Sequence, residues 1–255
     1  MNRLEGKIAV ITGAASGIGL AFARAFAAEG ATVYLADIST EAGEKAASEI
    51  GRSASFARLD VTKQGDWDAL AAAIGSQHGR LDVLVNNAGL GRGGSVEDCT
   101  YEVWNVTMAV NVTGVFLGCR TMMPLLKKSK GASIINVSSI FGIVGDQFTV
   151  AYSASKGAVR SLTKSAALHC AGMDPPVRVN SVHPGFVMTP MVEKGVAELP
   201  ADIAEQYMAR TVGLVPLGRI GAPEELTGVA VYLASDDARY VTGAEHVVDG
   251  GFTAR

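Results

Sequence analysis

The chain is poor in cysteine, with Cys99, Cys119 and Cys170 its only three in 255 residues. They stand far apart and are odd in number, so neither a disulfide framework nor a Cys-x-x-Cys metal or redox motif is on offer, and a reducing compartment fits. There is no basic excess either: 22 Lys and Arg against 25 Asp and Glu give a net charge of −3, which argues against a nucleic-acid partner. Charged residues amount to 18% and hydrophobic ones to 48%, which excludes a disordered chain. The histidines, His78, His169, His183 and His246, lack metal-ligand spacing, so no metal centre is expected. Long apolar runs are also scarce. The longest charge-free stretch, residues 103–119, is interrupted by Asn105, Thr107, Asn111, Thr113 and Gly114 and falls short of the about 20 predominantly apolar residues of a membrane span. The first residues carry charges rather than the apolar core of a signal peptide, so a cytoplasmic location with no membrane partner is expected.

What is present is an alternation. Short apolar runs over 8–11, 32–38, 55–60, 81–85, 132–137, 177–182 and 245–248 read as strands. Helical spacing of apolar residues predicts helices over 18–29, 41–50, 64–77, 101–127, 150–170 and 223–234. Strands short enough to be buried on both faces and separated by helices predict an α/β fold, a doubly wound parallel sheet of about seven strands flanked by helices. No linker, repeat or low-complexity tract divides residues 1–255, so one domain is expected. Residues 190–216 break the rhythm with Gly195, Pro200 and Gly213, and are expected to form an inserted lid.

The first strand runs into Thr12-Gly13-Ala14-Ala15-Ser16-Gly17-Ile18-Gly19. Glycines there permit a tight turn and close backbone approach to a ligand, while the free N–H groups and dipole of the following helix favour an anion such as a pyrophosphate. Asp37 closes the second strand 18 residues after Gly19, near the offset at which a carboxylate bonds the adenosine ribose 2′-hydroxyl of a dinucleotide. Such a carboxylate repels a 2′-phosphate, and Ala15, Ser16 and Ile38 supply no compensating cation, so NAD is preferred over NADP.

In open α/β sheets ligands bind beyond the carboxyl ends of the strands. Polar residues fall there at Asp60, Asn87 and Ser139, with Pro184 closing a later strand. The helix after Ser139 carries Tyr152 and Lys156, four residues apart and therefore on one face. A lysine cation held near a phenol favours the phenolate, which makes a general base.

Taken in order, Thr12-Gly-x-x-x-Gly-Ile-Gly19, Asn86-Asn-Ala-Gly89, Asn111, Ser139, Tyr152-x-x-x-Lys156 and Pro184-Gly185 resemble the motifs of the short-chain dehydrogenases/reductases, over essentially the full length. The resemblance implies a Rossmann fold and a catalytic tetrad. In it Tyr152 is the proton donor or acceptor, Ser139 bonds the substrate oxygen, Lys156 binds ribose hydroxyls and Asn111 orders a water in the relay. It further implies cofactor contacts at Gly13, Ser16, Gly17, Ile18, Gly19, Asp37, Ile38, Asp60, Val61, Asn87, Ala88, Gly89, Pro184, Gly185, Val187 and Thr189. Similar stretches, Asn180-Ser-Val-His-Pro-Gly185 and Val248-Asp-Gly-Gly-Phe-Thr253, occur in bacterial secondary-alcohol, cyclic-alcohol and hydroxysteroid dehydrogenases, and a homotetramer is implied as well.

The expected reaction is hydride transfer between NAD and a secondary alcohol or ketone. Residues placed to shape the substrate site are Leu90, Ile140, Phe141, Val144, Gln147, Met188 and Met191, a mainly apolar set with no Arg or Lys expected near the reacting carbon. That predicts apolar, cyclic or steroid-like alcohols and discrimination against anions. A 3-oxoacyl thioester reductase shares the tetrad, but Asp37 counts against the NADPH it usually prefers. Enoyl reductases separate their Tyr and Lys by six residues, whereas three lie between Tyr152 and Lys156. A non-catalytic NAD-sensing or scaffold protein on the same fold is the reading of another class.

Overall fold

The computed structural model describes residues 2–197 and 200–254. Seven strands form one parallel sheet: β1 (Ile8–Thr12), β2 (Thr32–Asp37), β3 (Ala54–Arg58), β4 (Val83–Asn86), β5 (Ser133–Val137), β6 (Arg178–Pro184) and β7 (Glu245–Val248). Their spatial order is β3-β2-β1-β4-β5-β6-β7. The chain winds one way from β1 to β3 and the other way from β4 to β7, so a crevice opens above the carboxyl ends of β1 and β4.

Period-two alternation explains the two cores. In β1, Ala9 and Ile11 face one layer with Phe22 and Phe26 of α1 (Gly17–Ala28) and Ala230 and Leu233 of α9 (Thr227–Ala234). Ile8 and Val10 face the other layer, with Trp67, Met122 and Val159. Those three belong to α3 (Gln64–His78), α5 (Gly114–Leu126) and α6 (Val150–Ala171). The remaining helices are α2 (Thr40–Ile50), α4 (Tyr101–Met108), α7 (Pro190–Ala197) and α8 (Ala201–Leu214). Trp67 is fully buried and its indole N–H donates to the Val61 carbonyl oxygen at 3.0 Å, so the core fixes the turn after β3 that borders the crevice.

The helix expected over 101–127 is α4 and α5 joined by a π-helical turn, Ala109–Thr113. As one run, Tyr101–Leu126 has 26 residues and is long and apolar enough by length and composition to cross a membrane. This differs from the expectation that no such run exists. Here its apolar stripe of Val115, Met122, Leu125 and Leu126 is buried in the core, packed with α3 and β4. The expected lid is the pair α7 and α8; residues 198 and 199 of it lie outside the described residues.

Candidate active site

A cavity of about 750 Å³ runs along the carboxyl ends of the strands. At one end stands the glycine turn. Gly13 and Gly17 have φ +64° and +55°, the left-handed region that glycine enters without a Cβ penalty. A Cβ on Gly19 would lie 2.2 Å from the Gly13 carbonyl oxygen and 2.5 Å from Asn87 Nδ2, so only glycine closes this turn. The N-terminus of α1 has no side-chain cap and no acidic residue in its first turn, which leaves its N–H groups free for an anion.

Thr12 locks this turn to β4. Its hydroxyl accepts from the backbone N–H groups of Asn87 at 3.0 Å and Ala88 at 2.9 Å, and Asn87 Nδ2 donates back to the Thr12 carbonyl at 2.9 Å. Sequence reading assigned Thr12 no role, because its bond to Asn87 joins positions 75 residues apart in the chain. Asp37 accepts from the N–H of Ala15 and of Ser39, both at 3.0 Å. One bond to each oxygen leaves acceptor capacity for ribose hydroxyls. Asp60 accepts from the Thr62 N–H and hydroxyl at 2.9 and 2.7 Å, and these bonds hold its carboxyl below the usual carboxylate range.

At the other end α6 presents Tyr152 and Lys156. The Ser139 hydroxyl accepts from the Phe141 N–H at 3.2 Å and lies near enough to the Tyr152 phenol to lower its pKa. Lys156 Nζ donates to the Val137 carbonyl at 2.9 Å and lies 5.6 Å from the centre of the Tyr152 ring. Register between β5 and α6 is kept by Ser138, whose hydroxyl donates to the Lys156 carbonyl at 2.8 Å. Burial raises the Tyr152 pKa, opposed by the neighbouring Ser139 hydroxyl, and lowers that of Lys156 to about 8. The lowered phenol expected from a nearby ammonium is not seen in the protein alone, where burial outweighs the Ser139 hydroxyl.

Asn111 sits in the π turn behind the cavity. Its Oδ1 accepts from the Leu90 N–H at 2.9 Å, and its Nδ2 donates to the Leu90 carbonyl and the Ser155 hydroxyl, both at 2.9 Å. Both N–H bonds are thus spent on the scaffold. Only Oδ1 keeps acceptor capacity, and the space above Gly89 is flanked by Asn111 Oδ1 and Lys156 Nζ, at 3.3 and 3.4 Å from where a Cβ would be.

The cavity lining gathers Gly13, Ser16, Gly17, Ile18, Asp37, Ile38, Asp60, Val61, Asn87, Ala88, Gly89, Leu90, Ser139, Ile140, Phe141, Tyr152, Lys156, Pro184, Gly185, Val187, Thr189 and Met191. Gly19 and Asn111 support it from behind. Val144, Gln147 and Met188 are not brought to it, which corrects their placement: the first two are exposed on the loop before α6, and the Met188 N–H is bonded to the Gly221 carbonyl at 2.8 Å. Tyr207 and Thr211 of the lining lie in the segment expected as a lid; sequence reading missed Thr149, Phe186 and above all Arg92. An edge-on aromatic series links Tyr152 to Phe141 at 6.5 Å, Phe141 to Phe186 at 5.9 Å and Phe186 to Phe252 at 5.4 Å.

Residues 13–253 match the family model described as Enoyl-(Acyl carrier protein) reductase. An NADP-dependent (R)-specific alcohol dehydrogenase of Lentilactobacillus kefiri is 46% identical over 100% of this chain and 99% of its own length. The chain belongs to the short-chain dehydrogenase/reductase family. Two further members are a cyclopentanol dehydrogenase of Comamonas testosteroni, 42% identical with both chains covered over 100%, and a 3-alpha-(or 20-beta)-hydroxysteroid dehydrogenase of Mycobacterium tuberculosis, 43% identical over 99% of this chain and 92% of the relative. Family membership makes the protein an oxidoreductase with a nicotinamide cofactor. The open turn between Gly13 and Gly19, the uncapped α1 and the spare acceptors of Asp37 fit such a dinucleotide.

Proposed function

We propose that the chain transfers a hydride between NAD(H) and a secondary alcohol or its ketone, with an apolar, cyclic or steroid-like body. The observation that carries this reading is the convergence of Ser139, Tyr152 and Lys156 on a cavity whose adjoining wall is Ile140, Phe141, Phe186 and Met191. The alcohol dehydrogenases named above support the CH–OH substrate, and Asp37, with no Arg or Lys beside it in the described lining, supports NAD.

Gly13 to Gly19, Asp37, Asn87, Lys156 and Thr189 would hold the cofactor, which supplies a hydride acceptor when bound. Oxidation also requires a proton to leave the carbinol oxygen. Tyr152 takes it, while the Ser139 hydroxyl donates to the same oxygen and stabilises the developing charge. Lys156 holds a positive charge beside the phenol and favours its ionised form. Asn111 Oδ1 and Lys156 Nζ flank the space in which a relay water would sit. The helices α7 and α8 act as the lid, lining the cavity with Met191, Val192, Tyr207 and Thr211 and excluding water from the apolar end.

The working form is a cytoplasmic homotetramer without nucleic-acid or membrane partners. Exposed Tyr101, Phe116 and Leu168, on α4, α5 and α6, support assembly. Kinetics with NAD on cyclohexanol, a hydroxysteroid, 2-propanol and a 3-hydroxyacyl thioester test the reading. Each extra buried methylene contributes about 0.8 kcal/mol, so the cyclic substrates should exceed 2-propanol in kcat/KM. Best activity on the thioester makes the protein a 3-oxoacyl thioester reductase, and tight NAD binding with no turnover makes it a non-catalytic sensor.

A further inference from the structure

We infer that Arg92 forms an anion subsite at the mouth of the cavity, and that the substrate is an alcohol whose apolar body carries a carboxylate remote from the carbinol carbon. This deepens the proposed function and rests on it.

Only two cations line the cavity among the described residues, Lys156 and Arg92. Lys156 is buried and bonded to the Val137 carbonyl at 2.9 Å. Arg92 is exposed, and among the described residues it takes part in none of the ion pairs or hydrogen bonds that occupy Arg3, Arg24, Arg58, Arg80, Arg160 and Arg219. The two carboxylates of the lining, Asp37 and Asp60, are bonded to the Ala15 N–H of the glycine loop and to Thr62, at the far end of the cavity. Asp37 closes β2, two strands from β4, or about 10 Å across the sheet. Among the described residues the guanidinium thus has no ion-pair or hydrogen-bond partner.

Its position relative to the reacting group is set by the backbone. A Cβ on Gly91 would lie 3.7 Å from the Tyr152 ring and 4.0 Å from Met191 Sδ. The Gly94 N–H donates to the Phe148 carbonyl at 2.7 Å, and the Gly94 carbonyl accepts from the N–H of Val150, the first residue of α6, at 3.0 Å. Arg92 therefore stands between a glycine packed on Tyr152 and a glycine bonded to the start of the helix that carries Tyr152.

The chemistry of the two zones differs. An anion beside the carbinol would meet Ile140, Phe141 and Phe186 and lose its water without gaining a partner. At the rim, a carboxylate keeps part of its hydration and gains the planar fork of a guanidinium, which matches its two oxygens. The cavity thus selects an amphiphile, with an apolar ring inside and a charge at the mouth. The expectation that anions are rejected is narrowed to those next to the reacting carbon.

The test compares 4-hydroxycyclohexanecarboxylate with the neutral 4-hydroxycyclohexanecarboxamide at saturating NAD, in the wild type and in Arg92→Lys, Arg92→Ala and Arg92→Glu. The readout is the ratio of the two kcat/KM values within each protein, so a general loss of activity cancels. The expected ratio favours the acid in the wild type, falls about tenfold in Arg92→Ala, falls further in Arg92→Glu and is partly kept in Arg92→Lys. Inhibition by cyclohexanecarboxylate should weaken in the same order, which reads binding without turnover. Equal ratios and equal inhibition in all four proteins, with cyclohexanol still oxidised, overturn the subsite alone. A rise in the KM for NAD with an unchanged ratio assigns Arg92 to the cofactor and also overturns it. Failure of the wild type to oxidise any of the three alcohols overturns the proposed cyclic-alcohol reading and the subsite together.

Discussion

Lys156 Nζ donates at 2.9 Å to the main-chain oxygen of Val137, the last residue of β5. A strand end, and no carboxylate among the described residues, holds the ammonium in place. Burial accordingly lowers Lys156 from 10.5 to about 8. Between those values the unfolded chain binds the proton and the folded chain does not, so this group makes stability rise with pH from 8 towards 10.5. Replacing Lys156 by Met removes the rise. Urea unfolding of the cofactor-free protein should show the wild type gaining on the order of 2 kcal/mol over the variant from pH 8 to 10. A difference that stays flat would refute the buried, lowered lysine.

Tyr152→Phe removes the transferable proton and almost no volume. Turnover should drop by about 100-fold or more while NAD binding, followed by fluorescence, is retained. Burial raises the phenol of the free protein, so oxidation by the wild type should climb with pH as the phenolate forms. An oxidation rate independent of pH, with the chemical step limiting, counts against a tyrosinate base.

Asp37 bonds two backbone N–H groups at 3.0 Å, one from the glycine loop and one from Ser39. Simple removal would loosen the loop, so the informative variant keeps a polar side chain. Asp37→Ser with Ile38→Arg deletes the repelling carboxylate and adds a guanidinium for a 2′-phosphate. The ratio of kcat/KM for NADP over NAD should rise about 100-fold. An unchanged ratio would remove Asp37 from the cofactor site.

How much of this was legible depended on whether the information was local. The glycine turn, the strand after it and the Tyr152/Lys156 pair lie within single elements, where a period of two or 3.6 already places side chains. The long helix was legible as a helix. Its π turn was not, because that turn is stabilised by Asn111 bonding Leu90 and Ser155, residues far off in the chain. Val144 and Gln147 were misplaced because closeness to Ser139 along the chain does not say which side of a loop faces the cavity. Arg92 escaped for the same reason: bonds from Gly94 to Phe148 and Val150 turn that segment toward Tyr152.

His183 offers a prediction that sequence could not motivate. It is fully buried in β6, with Nδ1 at 3.0 Å from the Ser139 carbonyl oxygen and Nε2 at 2.9 Å from the Ser181 hydroxyl. A carbonyl only accepts, so Nδ1 carries the proton and Nε2 accepts from Ser181. The neutral ring thereby fixes the backbone of Ser139 at the end of β5. Burial lowers its pKa below 6.5, with the nearby Arg160 and Lys156 in the same direction and Glu245 and the Ser139 bond against. Below pH 6.5 the unfolded chain takes up a proton that the folded chain refuses, so this stabilisation is full above 6.5 and lost as pH falls toward the folded value. His183→Asn retains a donor for Ser139 but does not titrate. Urea midpoints from pH 7 down to about 5 should fall less steeply in the variant, by up to about 1.4 kcal/mol per pH unit in the derived stability. His246, also lowered by burial, is common to both proteins and cancels. Identical slopes would show that folding does not lower the His183 pKa and would remove the assigned bond from the Ser181 hydroxyl to Nε2.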